Sequence, residues 1–281
     1  MTARHVLIWL RRLIAIVILL AVLGGVVVVL KKADRRLFGT STSSSTATTA
    51  ARPTTTLVVP EGFSIRDIDA RAVRFGAKKG AFLAAAARAA PPSNVAGPGQ
   101  KPTSVEGFLF PASYPVTVPV NPSALVQQQL EAFGNAFAGV DLTYAKSKNL
   151  TGYDILKIAS MIEREAGFAG DRAKIAAVIY NRLKRRMPLG IDATLQYANG
   201  SWALLKPADL TKPGPYNTRL ERGLPPTPIC SPGLAALQAA AHPARVGYLY
   251  YYAIPGDKKR RSYFTRTYVK MQEYIAEHPT K

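Results

Sequence analysis

Between Leu13 and Leu30 all 18 consecutive residues are apolar or glycine. As a helix this run would be roughly 27 Å long, about the hydrocarbon thickness of a bilayer. A core helix of that length would carry a polar face, and this segment has none. A cleaved signal peptide fits less well, because the stretch is long for an h-region and no small-x-small site follows closely. The run predicts a transmembrane helix over 13–30, preceded by a tail of residues 1–12. Arg4, Arg11 and Arg12 stand before it and Lys31, Lys32, Arg35 and Arg36 after it, so basic flanks alone do not orient it. The tail is short and all fold-like patterning follows the helix. That predicts a cytoplasmic N-terminus and a main domain outside.

Residues 39–56, GTSTSSSTATTAARPTTT, hold too little apolar surface to pack, and the stretch 31–56 is expected to be a flexible tether. Leu57-Val58-Val59 predicts a strand, Pro60–Gly62 a turn, and Ile65–Phe75 and Gly80–Ala90 two helices. The Pro/Gly/Asn-rich stretch 91–102 then marks the border of a small subdomain over 57–103. From 104 to 281 helices are expected over Ser123–Ala138, Asp154–Ala166, Asp171–Arg185 and Gly233–Ala241. The aromatic run Tyr248–Ala253 reads as a buried strand. The soluble part is therefore expected to be α+β with helices dominating.

The formal net charge of +20 points to polyanionic surroundings, and seven basic residues against Asp34 near the apolar run account for only part of it. No zinc-finger spacing or aromatic RNA-binding signature accompanies the charge, so a wall or membrane surface explains it without nucleic acid. The lone Cys230 cannot form an internal disulfide, and in its proline-rich setting it reads as a small packing residue. The histidines, His5, His242 and His278, are too dispersed for a zinc triad. G-x-S-x-G and phosphate-loop patterns are missing.

Chemistry concentrates on Thr151–Gly167. Thr151 and Asp154 have capping-box spacing, and Gly167 is a natural stop. Ile155, Ile158, Ala159 and Ile162 form an apolar stripe, and at about 100° per residue Glu163 and Glu165 fall on its opposite flanks. They cannot act as a facing pair across one bond. Each borders buried surface, where desolvation raises a carboxyl pKa. Glu165 also lies in the last turn, where the helix dipole opposes its ionisation. From these residues alone, Glu165 as a proton donor stands beside the reading that both are surface glutamates paired with Arg164 or Arg172.

Further segments set polar and aromatic groups beside rigid turns: Val105–Pro111 (VEGFLFP), Tyr180–Leu183 (YNRL), Ile191–Tyr197 (IDATLQY), Tyr216–Thr218 (YNT) and Gly223–Pro228 (GLPPTP). Taken in order with Ile158–Glu165, Ser231-Pro-Gly and Ala241-His-Pro, these resemble the endolytic murein transglycosylase, or YceG-like, family over about residues 104–255. The resemblance implies a membrane-anchored enzyme that cuts peptidoglycan glycan strands without water and leaves 1,6-anhydro-N-acetylmuramic acid ends. It assigns the catalytic role to Glu165 and substrate contacts to Glu163, Glu106, Asn181, Asp192, Thr194, Tyr216, Asn217 and Thr218. It implies no metal or organic cofactor. The partners it implies are glycan strands and the cytoplasmic membrane, with a cell-wall synthase of the penicillin-binding type left open.

Three positions depart from the family pattern: Ala112, Arg219 and Ser262 stand where an aspartate, a tyrosine and a histidine are usual. Only a short stretch remains for the family's LysM-like domain, so 57–103 is expected to be a reduced remnant of it. Two other functions compete. A scaffold would hold glycan without cutting it, and a PLP-dependent lyase would need a lysine in a phosphate-cup context that the sequence lacks.

Overall fold

The computed structural model describes residues 53–279. The expected tail 1–12, membrane helix 13–30 and most of the tether lie outside the described residues. Among those described, no helix is long and apolar enough to cross a membrane. The architecture is α+β, with ten helices and four short strands among the described residues.

β-branched residues open the described chain as strand β1 (Thr54–Val58), so Thr54–Thr56, expected at the end of the tether, are already paired. Their partner is β2 (Ser113–Thr117), antiparallel, with Thr54 opposite Thr117 and Leu57 opposite Tyr114. Between them run α1 (Ile65–Val73) and α2 (Ala81–Arg88). Ser64 and Asp67 form a capping box on α1. The cap residue of α2 is Gly80, which has no side chain to offer, so the buried Asp69 of α1 accepts its Gly80, Phe82 and Leu83 amides instead. Leu57, Ile68, Phe82, Tyr114 and Val116 fill the core beneath. That core also takes Val105, Leu109, Leu125 and Val126, which lie beyond position 103.

α3 (Pro122–Ala138) serves two cores. Leu125 and Val126 face the first, while Phe133 and Phe137 enter a second and larger one. There α5 (Gly152–Glu165) is enclosed by α3, α6 (Arg172–Lys184) and α9 (Leu234–Ala241). The expected stripe on α5 is too narrow a description, because Leu156, Ser160 and Met161 are buried as well. Ser160 can sit there because its hydroxyl donates to the Lys157 carbonyl and accepts the Ile229 amide. Short helices α4 (Thr143–Lys146), α7 (Asp192–Ala198) and α8 (Pro207–Thr211) lie in the connections. The aromatic run forms β3 (Tyr250–Ala253), paired antiparallel with β4 (Ser262–Thr265) before the closing helix α10 (Tyr268–Glu277). Expected to be buried, β3 is mostly half-buried, because a two-stranded hairpin covers only one of its faces.

At the seam between the two cores lies Glu106, 2% exposed. Its carboxyl accepts the Ile65 amide at the start of α1 and the hydroxyl of Tyr197 on α7. Burial pushes its pKa from 4.5 to about 7, against the opposing pull of those donors and of Arg66. The folded state therefore holds this proton more tightly than the unfolded chain does. The stability it lends is present in full below about pH 4.5 and is lost as pH rises through about 7, a change of about 3 kcal/mol. Thermal unfolding followed against pH should show this decline in wild type, and Glu106→Gln should flatten it. Parallel curves for the two proteins would rule the account out.

Candidate functional site

The helix that carries both glutamates starts as the sequence predicts. Thr151 and Asp154 cap each other, and Gln100 braces both side chains. Its end is different in kind. Ala166 has extended backbone, and Gly167 is not left-handed. Gly167 is needed because a Cβ there would lie 2.8 Å from the Arg260 carbonyl oxygen. The α5 exit is thus closed by the turn of the β3–β4 hairpin.

Glu165 is the last residue of α5, and its Oε2 accepts the Tyr251 hydroxyl at 2.9 Å. Burial raises its pKa, and the neighbouring Asp192 charge adds to this. The Tyr251 hydroxyl and the Ala193 amide of α7 pull the other way. The site therefore holds a carboxyl whose proton is retained more strongly than in water but whose anion still has two donors. That is what a group alternating between acid and base requires.

Glu163 faces elsewhere, its Oε2 accepting the Gly233 amide at the start of α9 at 3.1 Å. Burial raises its pKa too, with Glu61 contributing and the Gly233 amide opposing. The two carboxyls have separate partners, as their opposite flanks predict. Arg164, between them, stacks on Trp202 at 3.8 Å from the ring centroid.

Of the expected substrate-contacting residues, Asp192 stands beside Glu165, where its Oδ1 takes both Arg219 Nε at 2.9 Å and Nη2 at 2.6 Å. Asn181 donates to the carbonyls of Val246 and Tyr248, fixing the chain that leads into β3. Tyr216 shares a hydrogen bond with Thr227. Glu106, Thr194, Asn217 and Thr218 are 2%, 0%, 1% and 2% exposed, so as placed they hold loops rather than offer groups to a ligand. Thr194 and Thr218 bond each other, and Thr218 accepts the Ile191 amide, locking the entry to α7. Asn217 donates to the Leu210 and Lys212 carbonyls. A groove bordered by Lys157, Thr218, Glu221 and the Gly223–Pro226 turn does not include Glu165.

Sequence reasoning missed Tyr251 as a partner of Glu165, although its aromatic run was visible. Arg219 stood out only as a departure, and the structure makes it the counter-ion of Asp192. Ser262 donates its amide to the buried Asp171 at 2.7 Å, so the position serves hairpin anchoring. Ala112 accepts the Val59 amide beside the first sheet.

The model of the YceG-like family matches residues 37–277. The chain belongs to the YceG-like family. Among its YceG-like relatives are the endolytic murein transglycosylases of Bacillus subtilis, 39% identical over 152 residues, and Streptococcus pneumoniae R6, 34% over 182. These alignments cover 53% and 62% of this chain but 42% and 32% of the relatives, so the chain spans less than half of their length. A crystal structure of a YceG-like protein from Listeria monocytogenes superposes with a TM-score of 0.67 at 29% identity, over 78% of this chain and 75% of that one.

Tyr251→Phe removes a donor that favours the Glu165 anion, so the Glu165 pKa should rise further. Carbon-13 titration of labelled glutamate carboxyls, with Glu165→Gln for assignment, reads this directly. A titration midpoint unmoved by the substitution would show that the hydrogen bond has no electrostatic weight.

Proposed function

We propose that this chain is an endolytic peptidoglycan transglycosylase that cleaves between N-acetylmuramic acid and N-acetylglucosamine and forms 1,6-anhydro-N-acetylmuramic acid ends. The observation that carries this is the single carboxyl of Glu165, proton-retaining yet provided with two donors, at the position that the family resemblance makes catalytic. The relatives named for this activity support it.

In the reaction the protonated Glu165 gives its proton to the glycosidic oxygen as the bond from C1 of muramic acid breaks. The 6-hydroxyl oxygen of the same sugar then bonds to C1, and its proton returns to the Glu165 carboxylate. No water is consumed, and the enzyme ends in its starting state. Tyr251 donates to Oε2, so the carboxylate formed after the first step keeps a donor. One carboxyl suffices, so the separate placement of Glu163 is no obstacle.

The apolar run over 13–30 supports anchoring to the cytoplasmic membrane as a single pass, with the domain from Leu57 outside, near synthases whose nascent strands it would terminate. The strand–helix–helix–strand unit from Thr54 to Thr117 is the part we assign to the reduced LysM-like remnant. Protease added to intact spheroplasts should digest the outer domain. Digestion only after lysis would refute the topology.

Glu165→Gln should lower the yield of anhydro-muramyl ends by about 10² to 10⁴ while the unfolding midpoint stays nearly constant. Glu163→Gln should cost much less. Mass spectrometry of products from purified strands decides between them, and near wild-type cleavage by Glu165→Gln would defeat the assignment.

A further inference from the structure

The sequence holds two dense basic runs, Lys184-Arg185-Arg186 and Lys258-Lys259-Arg260-Arg261, and the proposed reaction uses neither. The first lies at the far end of α6. The second forms the turn of the β3–β4 hairpin, and that turn is firmly held. Arg261 forks onto Asp257 at 2.9 and 3.1 Å, and the Ser262 amide donates to Asp171 at 2.7 Å. Arg260 lies against Gly167, where a Cβ would be 2.9 Å from the Arg260 Cβ. Its own backbone is left-handed, with φ 55°, a conformation that costs a side chain-bearing residue about 1 kcal/mol.

The consequence is that Arg260 is held against the end of the helix that carries Glu165, with Lys258 and Lys259 beside it in the same turn. Tyr251, which holds Glu165, and Ala253, at the base of the turn, share one strand and stand roughly 7 Å apart along it. Gly167, under Arg260, is two residues beyond Glu165. Asp257 neutralises Arg261, but Lys258, Lys259 and Arg260 are exposed and enter no ion pair among the described residues. In a strand that keeps its peptides the lactyl carboxyl of each muramic acid is bound up as an amide, so the sugars carry no charge that would call for them. The peptide branches on its muramic acid units do, through their free carboxylates.

We propose that Lys258, Lys259 and Arg260 form a subsite for the carboxylates of the peptide branch next to the bond cleaved, so that strands whose peptide carboxylates are free are preferred over the same strands with those carboxylates amidated. This rests on the transglycosylase reading. The preference is electrostatic and made at an exposed surface, so it should amount to roughly threefold to tenfold in kcat/KM.

The test compares the intact chain on strands with free peptide carboxylates and on the same strands after carbodiimide coupling to ammonia has turned those carboxylates into amides, since stripping with an amidase would free a lactyl carboxylate on every muramic acid. The expected preference for free carboxylates should arise mainly through KM and shrink with rising salt. In a Lys258→Gln/Lys259→Gln variant, which spares the packed Arg260, the ratio should fall toward one. A Lys184→Gln/Arg185→Gln variant, equal in net charge, should keep it. A double hairpin variant with the full ratio, or a wild type without preference, overturns the proposal. So does equal cleavage of amidated strands that carry a phosphate polymer, since the anion recognised would then be phosphate. Fluorescence anisotropy of labelled strands with the Glu165→Gln chain reads the subsite without cleavage. A preference there for free over amidated carboxylates, combined with no anhydro ends from wild type, would sink the transglycosylase reading and leave the subsite standing.

Discussion

Enclosure of α5 is the constraint on which the rest of the molecule depends. Ten of its residues are buried, and helices approach it from several directions. A helix so enclosed must satisfy its polar groups at its ends and inside, since an unpaired buried donor or acceptor costs about 1–3 kcal/mol. The entrance is met by the Thr151–Asp154 box with Gln100, and the interior by Ser160. At the exit the chain must leave the core within two residues. Glu165 is thereby fixed where the core opens, neither deep in apolar packing nor on the free surface.

The two cores are joined by elements that belong to both. α3 buries one end in each, and Glu106 bonds α1 on one side and α7 on the other. Around it, Trp202 Nε1 donates to Asp67, Arg66 donates to the Tyr197 carbonyl, and Arg164 stacks on Trp202. These contacts run without a break from the first helix of the small unit to the residue between the two glutamates. The small unit and the helix that carries both glutamates are thus tied through packed and hydrogen-bonded groups.

The sequence made some of this legible and some not, for identifiable reasons. α1, α2, α3, α5, α6 and α9 were visible because their apolar pattern or composition spans two turns or more, and three of them, α1, α3 and α5, begin at side-chain caps. α7 was not, since IDATLQY is short and its polar residues resemble loop contacts. β2 and β4 are brief, and their partners lie far along the chain or across a charged turn. The site suffered from one ambiguity in particular. Polar residues beside rigid turns are equally what a ligand groove and a tied loop require, and only burial separates the two. Thr194, Asn217 and Thr218 are buried and tie loops in the structure, whereas Tyr251, hidden in a run that reads as packing, donates its hydroxyl to Glu165.

For one carboxyl to give a proton and take one back, as the proposed reaction asks of Glu165, the influences on it must nearly cancel. Burial, the Asp192 charge and the α5 dipole all favour the protonated form of Glu165. Left alone, they would yield an acid too weak to release its proton to a glycosidic oxygen. The Tyr251 hydroxyl and the amide at the start of α7 restore some stability to the anion, and Arg219 draws off part of the Asp192 field. The opposing groups come from four separate segments: α5, α7, the Tyr216–Arg219 turn and β3. Their balance exists only when the whole fold is assembled, which is why the glutamate could be located on its helix from the sequence while the groups that tune it could not.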